Sequence, residues 1–480
     1  MSTGLSKSAR VRSRLTHPDI DSDGHTIEFQ PAVMDYLKQV GGAEIAERYR
    51  TRRGAFAGAP GWFGMNPEQR RERRATVPPW WALPTRNTLD RATAMLPKLL
   101  YQRLDEMGLD LTVVYPSLGL GAPHIADDEV RAAVCRAFNS YHADVFREFR
   151  DRIIPVAVIP MHTPAEAIAE LEFAVRKLGM KAIMMAGYVY RPLRADQEVA
   201  GEGGRWMDTF CLDSEYDYDP VWAKCEELGV APTFHSASMG WGSRTSISNY
   251  MYNHIGHFGE AGEAICKALF FGGVIRRFPR LKFAFLEGGV STGARIYNDL
   301  IARWKKRNPR DLENYNPANL NVELLVDLFR RYGNFSAEQL AYLSRPGGHG
   351  ARMAPEQKND FLRAGVASAE EIRDQFIPHF YFGCEADDPM NSTGFNRKAN
   401  AFGVKVRAIF SSDIGHWDVP DMTEVTEEAY ELVEHGMISE EDFREFVFVN
   451  PVSLWTGTNP EFFKGTVVED AVKGVAAESA

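Results

Sequence analysis

Short apolar runs alternate with longer amphipathic stretches along this chain, the rhythm that repeated βα units and a parallel sheet produce. Eight runs predict strands: 19–25, 109–116 (LDLTVVYP), 153–160 (IIPVAVIP), 182–186 (AIMMA), 231–235 (APTFH), 281–287 (LKFAFLE), 380–384 and 406–412 (VRAIFSS). The first is the weakest on propensity, because its residues are mostly polar. Helical periodicity lies between the runs, clearest over 128–150 and 164–178, then over 261–278 and 424–435. Several of these segments open on Asp, Thr or Pro, as helix starts should. Eight such units predict an α/β chain closed into a (β/α)8 TIM barrel. The rival is a doubly wound sheet, and no G-x-G-x-x-G follows the first strand to favour it.

Two stretches are too long to be plain connections. One, 29–99 after the first strand, holds a basic run (QRRERR, 69–74) and a Trp-rich patch (PPWWALP, 78–84). The other, 302–375 after the sixth strand, is charged and amphipathic, reads as mostly helical, and is broken by RPGGHG at 345–350. Long insertions in barrels serve as lids or oligomer contacts, so both are expected to do so. The barrel is expected over 19–460, preceded by a disordered basic arm at 1–18 and followed by a C-terminal tail at 461–480. No internal repeat is present.

Composition narrows the class. At 480 residues, 44% apolar and 25% charged, the chain can bury a large core without staples. Its five cysteines, Cys135, Cys211, Cys225, Cys266 and Cys384, are odd in number and form no C-x-x-C pair. They read as reduced thiols of a cytoplasmic protein. No apolar run reaches the roughly 20 residues of a membrane helix. The N-terminal MSTGLSKSARVRSRL lacks the apolar core of a secretory signal. A net charge of −10 opposes a nucleic-acid partner, which needs a basic face. It leaves a small-molecule substrate open, because a pocket can carry either sign.

Barrel chemistry sits at the carboxyl ends of the strands, so the residues there carry the functional reading. The first strand ends in Asp21-Ser22-Asp23-Gly24-His25, and Asp23 and His25, two apart, share one strand face. The fifth ends in His235, the sixth in Glu287, and the eighth in Ser411-Ser412-Asp413. Two imidazoles with two carboxylates suit zinc, manganese or iron. Each residue alone has a plainer reading. His235 could be a hydrogen-bonded core histidine, Asp413 a helix N-cap and Asp23 a loop turn. Their arrival at one rim from separate strands favours a metal.

The order D-x-H, T-F-H, F-L-E-G-G and S-S-D-x-x-H-W-D resembles the amidohydrolase superfamily, in the amidohydrolase 2 branch of metal-dependent TIM-barrel hydrolases and decarboxylases. The segment NHIGHFGEAGEAICKALFFGGVIRRFPRLKFAFLEGGV and the tail VFVNPVSLW extend the resemblance over most of the chain. It implies that Asp23 and His25 stand for the first-strand H-x-H motif, with Asp in place of the first His. It implies that His235 and Asp413 are ligands and that Asp413 shuttles protons. Glu287 stands where many relatives carry a catalytic His, and so becomes a candidate ligand. His257 or His254 is then a candidate replacement for that His, and His416 orients Asp413 or binds substrate. Glu385 is a further candidate for a second ion, and Glu28 is expected to fix the local loop. Lys181 lies at the wrong end of the fourth strand to be a ligand. Arg244, Arg191 and Arg194 are candidates for a substrate carboxylate, against the plainer reading of solvated surface arginines. Trp80, Trp81, Trp241 and Trp417 are candidates for a lid or an apolar pocket wall. Of these, His254, Trp241 and Arg244 are taken as substrate-binding, and Asp413, His257 and His416 as catalytic.

The function implied is metal-dependent hydrolysis or non-oxidative decarboxylation of a small carboxylic acid, with zinc as first choice of divalent ion. Two alternatives come from other classes. One is a dinuclear iron or manganese oxygenase of the same superfamily. The other is a subunit that retains its metal and supports an active partner. Homo- or hetero-oligomerisation is expected in all three.

Overall fold

The computed structural model describes residues 4–51, 62, 64–77, 86–193, 205–235, 246–345 and 359–478. Eight parallel strands form one sheet in chain order: Ile20–Thr26, Leu111–Pro116, Ile153–Ile159, Ala182–Met185, Pro232–Phe234, Phe283–Phe285, Phe380–Cys384 and Arg407–Phe410. All eight sequence runs are strands: the seventh keeps its bounds, the first shifts by one residue, and the other six are shorter than the runs. The sheet curls round until its first and eighth strands meet. The Asp413 amide donates to the Asp23 carbonyl (3.0 Å) and the His25 amide to the Ile414 carbonyl (3.0 Å). Strands buried on both faces explain the near-continuous apolar runs. This is the predicted TIM barrel.

Helix starts follow the residues that mark them. Asp127 accepts from the Val130 amide to open Asp128–Val145, and Thr163 accepts from the Glu166 amide to open Pro164–Glu172. Phenylalanines from neighbouring strands stack between sheet and helices, with Phe285 5.1 Å from Phe382 and 5.7 Å from Phe234. Helix Val290–Arg307 approaches so closely that a side chain at Gly293 would collide with the Phe382 ring.

Two features depart from the sequence reading. The basic arm is not disordered where it is described. Ser6 caps helix Lys7–Arg12, Val11 is buried, and Ser8 Oγ accepts from the Thr426 and Glu427 amides at 3.1 Å each. An antiparallel ribbon, Val189–Pro192 with Arg205–Asp208, follows the fourth strand and was not foreseen. The stretch 29–99 holds helix Gln30–Thr51, which lies along Asp128–Val145, and the shorter Pro67–Glu72 and Thr88–Met95. The stretch 302–375 does contain helices, Val322–Tyr332, Ala337–Tyr342 and Ala369–Phe376. All five cysteines are free and buried. Among the described residues, no helix is long and apolar enough to cross a membrane.

Candidate metal centre

The first strand is polar in sequence and buried throughout: Asp21, Ser22, Asp23 and His25 are all 0% exposed. Asp21 explains how such a segment sits in a barrel wall. Its Oδ1 accepts from the Ser412 amide (2.9 Å) and the Asp23 amide (3.1 Å), and its Oδ2 from Thr112 Oγ1 (2.6 Å) and Ser412 Oγ (2.7 Å). The pairing with the second strand slips between Asp21 and Gly24. A Cβ on Gly24 would lie 2.6 Å from both Asp21 Oδ2 and Thr112 Oγ1, so this bulge needs glycine.

Just beyond, side chains from four strands converge. His235 Nε2 lies 2.8 Å from Glu287 Oε1 and 3.2 Å from His25 Nε2. His25 Nε2 lies 3.1 Å from Glu287 Oε1 and 3.5 Å from both Asp23 Oδ1 and Asp413 Oδ1. Glu287 and Asp413 both take φ of 51°, a left-handed backbone that costs a non-glycine residue about 1 kcal/mol or more. Such strain gathers where a side chain must be aimed. His416 Nδ1 sits 2.6 Å from Asp413 Oδ1, and its Nε2 is 3.0 Å from Ser117 Oγ.

These residues fit a divalent cation. Neighbouring ligands of one ion, each about 2.1 Å from it, stand roughly 3 Å apart in a five- or six-coordinate shell and about 3.4 Å apart in a tetrahedral one, the range of the spacings above. Asp23 is fully buried, and beyond the 3.5 Å approach of His25 Nε2 to its Oδ1 neither carboxylate oxygen has a partner in hydrogen-bond geometry among the described residues. Unpaired buried carboxylate oxygens cost several kcal/mol unless a cation satisfies them. The local electrostatics agree. Burial opposes a charge on His25, but the adjacent Asp23 and Glu287 carboxylates carry its pKa up to about 9. Burial also opposes a charge on Glu287, and the charge and hydrogen bond of His235, then those of His25, hold it well below the usual carboxylate range. Burial and then the charges of Glu287 and Asp418 push Asp413 well up. Burial and then the His25 charge push His416 well down. Three carboxylates thus share too little positive charge, which a dipositive ion would supply.

Asp23, His25, His235 and Glu287 form one ligand-type group, and His25, Glu287, Asp413 and His416 a second that shares two members. His257 and His254 belong to neither. His257 Nδ1 meets the His254 carbonyl at 2.5 Å, and burial lowers its pKa to about 3. His254 stacks on Tyr250 (5.4 Å), and Trp417 packs edge-on against both rings, an aromatic wall beside the cluster. Glu385 stands outside both groups, its pKa carried by burial and by Glu287 up to about 8. Glu28 accepts from the Leu118 amide at 2.8 Å and so orders the loop after the second strand. Lys181 donates to the Phe462 and Lys464 carbonyls at the opposite end of the barrel. Arg191 is engaged by Asp208 (3.0 Å) and the Tyr218 hydroxyl (2.9 Å), which accounts for it without substrate. Trp241, Arg244, Arg194, Trp80 and Trp81 lie outside the described residues. Sequence reasoning missed Asp21, Thr112, Ser117, Ser412 and Asp418. The alternation Asp21, Asp23, His25 was the available signal, since it places a third polar side chain on the same strand face.

Comparison with known proteins places this geometry in a family. Decarboxylase orsB of Emericella nidulans is 29% identical over 196 residues, which are 38% of this chain and 52% of the relative. The 2-amino-3-carboxymuconate-6-semialdehyde decarboxylase of Dictyostelium discoideum is 28% identical over 182 residues, 36% of this chain and 45% of that one. The chain thus spans about half the length of the curated relatives it matches. The crystal structure of 2,6-dihydroxybenzoate decarboxylase from Rhizobium superposes with a TM-score of 0.50 at 14% identity, covering 92% of this chain and 99% of the other. At that identity the likeness speaks for the fold. The amidohydrolase family profile matches residues 51–311. That stretch includes His235 and Glu287 but neither the first-strand pair nor Asp413, whose reading therefore rests on geometry. As the match covers more than half of the sequence, the chain belongs to the amidohydrolase family.

Proposed function

We propose that this protein is a metal-dependent enzyme that decarboxylates or hydrolyses a small carboxylic acid, with Asp413 as its acid–base group. The observation that carries the reading is the convergence of Asp23, His25, His235, Glu287 and Asp413, with the Asp23 oxygens buried and not hydrogen-bonded among the described residues. Asp23, His25, His235 and Glu287 would hold one divalent ion together with Asp413, zinc first and manganese or iron as alternatives. Such an ion supplies Lewis-acid activation of a water or of a chelating substrate. Asp413 carries the proton at its carboxylate. His416, pinned between Asp413 Oδ1 and Ser117 Oγ, fixes the direction in which that carboxylate points. The Trp417, Tyr250 and His254 rings provide a face for an unsaturated or aromatic acid. The two decarboxylases among the relatives favour loss of carbon dioxide over hydrolysis.

One ion is a better reading than two. The two ligand groups share His25 and Glu287: the Glu287 carboxylate has an oxygen for each of two ions, but the imidazole nitrogen of His25 has a single lone pair and serves one ion only. A second ion would be left with Glu287, Asp413 and His416 among the described residues, one of them shared with the first. Metal analysis of the purified chain and of His235→Ala tests the proposal, with assay of carbon dioxide release from a panel of small carboxylic acids. About one zinc or manganese per chain, lost in the variant, is expected. A chain that holds no metal sinks the site. Iron near two per chain puts the oxygenase first, and metal without turnover by the chain alone favours the supporting subunit.

A further inference from the structure

Asp21 holds a fully buried carboxylate for which no ion pair is found among the described residues. Every hydrogen bond it accepts comes from a neutral donor: two hydroxyls and two backbone amides. Burying a carboxylate without a counter-charge is expensive, so a mere filler at this position would be apolar. What the carboxylate offers is an acceptor-only group with two oxygens and room for four donors. All four sites are used, by three strands at once. The Asp23 amide belongs to the first strand, Thr112 to the second, and Ser412 follows the eighth.

Three of the four donors belong to, adjoin or support a residue of the metal centre. The Ser412 amide immediately precedes Asp413, whose left-handed φ of 51° must be held against its intrinsic cost. The Asp23 amide belongs to a ligand itself. Ser412 Oγ accepts from the Ile414 amide (3.3 Å), and the Ile414 carbonyl accepts from the His25 amide (3.0 Å). One carboxylate therefore fixes, within two residues along the backbone, the placement of Asp23, His25 and Asp413. Gly24 leaves the space the Asp21 carboxylate occupies.

We propose that Asp21 is a positioning residue of the metal centre, clamping the first-strand bulge to the Ser412–Asp413 turn so that Asp23, His25 and Asp413 stand in ligating register. The inference rests on the metal-centre reading, and the test separates the two. Zinc affinity is measured by chelator competition, and unfolding temperature with and without zinc, for wild type, Asp21→Asn, Thr112→Val and Ser412→Ala. Asn is nearly isosteric but accepts at one oxygen only. Zinc affinity is expected to fall about 10- to 100-fold in Asp21→Asn and less in the two hydroxyl variants. The zinc-induced rise in unfolding temperature should shrink in the same order. Wild-type affinity in all three variants overturns the proposal. So does a drop in metal-free stability that leaves the zinc-induced rise intact, because that marks a purely structural fastener. Should Asp21→Asn fail to fold, undiminished zinc affinity in both hydroxyl variants overturns it equally. A wild type that binds no zinc, manganese or iron overturns the metal centre itself, and this proposal with it.

Discussion

The barrel seam and helix Val322–Tyr332 break the same rule in opposite directions. At the seam the chain buries Asp21, Asp23, His25, Asp413 and His416. On the helix it leaves Leu324 49%, Leu328 39% and Tyr332 82% exposed, and no residue of that helix is buried. A buried polar group and an exposed apolar stripe are both more informative than their converses. Their energetics differ. Each seam charge is stable only through its neighbours, so removing one leaves others uncompensated. Leu324 and Leu328, by contrast, neither belong to the buried core nor pack against it among the described residues. Sensitivity to substitution should therefore run against hydropathy here, with conservative changes at the seam severe and radical changes on the helix mild.

The largest effect is expected at Asp413. Asp413→Asn keeps the shape and removes the proton carrier, so kcat should fall by about 10²- to 10⁴-fold on whichever acid proves to be a substrate. Circular dichroism should be unchanged. An active variant would remove Asp413 from the mechanism. Next in size is removal of the ion. Chelation leaves three carboxylates sharing too little positive charge, and a ligand present at about 1,000 times its Kd stabilises the fold by about 4 kcal/mol. The unfolding temperature of wild type should drop with chelator, and that of His235→Ala should not respond. An equal response in both proteins would place the ion elsewhere.

Much of this contrast was legible in sequence, for unequal reasons. Seven barrel strands announce themselves as apolar runs, because parallel strands are buried on both faces. The first, IDSDGHT, has no such pattern. Its burial comes from the hydrogen bonds of Asp21 and the ligand cluster, so only the spacing of Asp23 and His25 gave it away. Asp21 escaped notice because its partners, Thr112 and Ser412, are distant in sequence and close only once the barrel closes. His254 and His257 looked like substitutes for a missing sixth-strand His. Helix His257–Phe271 instead turns His257 back onto the His254 carbonyl. The N-terminal helix was hidden for a similar reason. Six residues rich in Arg and Lys have little helical tendency of their own, and contacts to Glu424, Thr426 and Asp110 hold them. The ribbon after the fourth strand is two four-residue pieces with no strong period.

A smaller effect belongs to His257, which is 1% exposed and whose protonation is opposed by burial more than the Glu287 charge favours it. Its pKa is about 3 in the fold, lowered by burial, against about 6.5 in an unfolded chain. Between those values the unfolded chain binds a proton that the folded one refuses, so stability rises with pH across this window. The contribution is complete above about pH 6.5, and about 2 kcal/mol of it is lost on acidification to pH 5. His257→Gln should remove that slope, read as the difference between two denaturation series in which the other groups cancel. Parallel stability curves from pH 7 to 5 would contradict the buried, neutral imidazole.

The smallest effect is the sharpest test of the contrast. Replacing both Leu324 and Leu328 by Lys puts two charges where a core would forbid them. At a solvent-facing site this should change stability by no more than about 0.5 kcal/mol. Glu323 and Asp327, next to the stripe, would accommodate the new charges through pairs of low individual worth. Urea denaturation of the double variant against wild type measures it. Thr112→Val at the seam, a change of one hydroxyl to a methyl, should cost more, because it leaves Asp21 Oδ2 short of a donor in a site closed to water. If the two lysines cost more than the single methyl, the apolar stripe is covered in solution after all. The inversion between seam and helix would then be an inversion of surface and core in appearance alone.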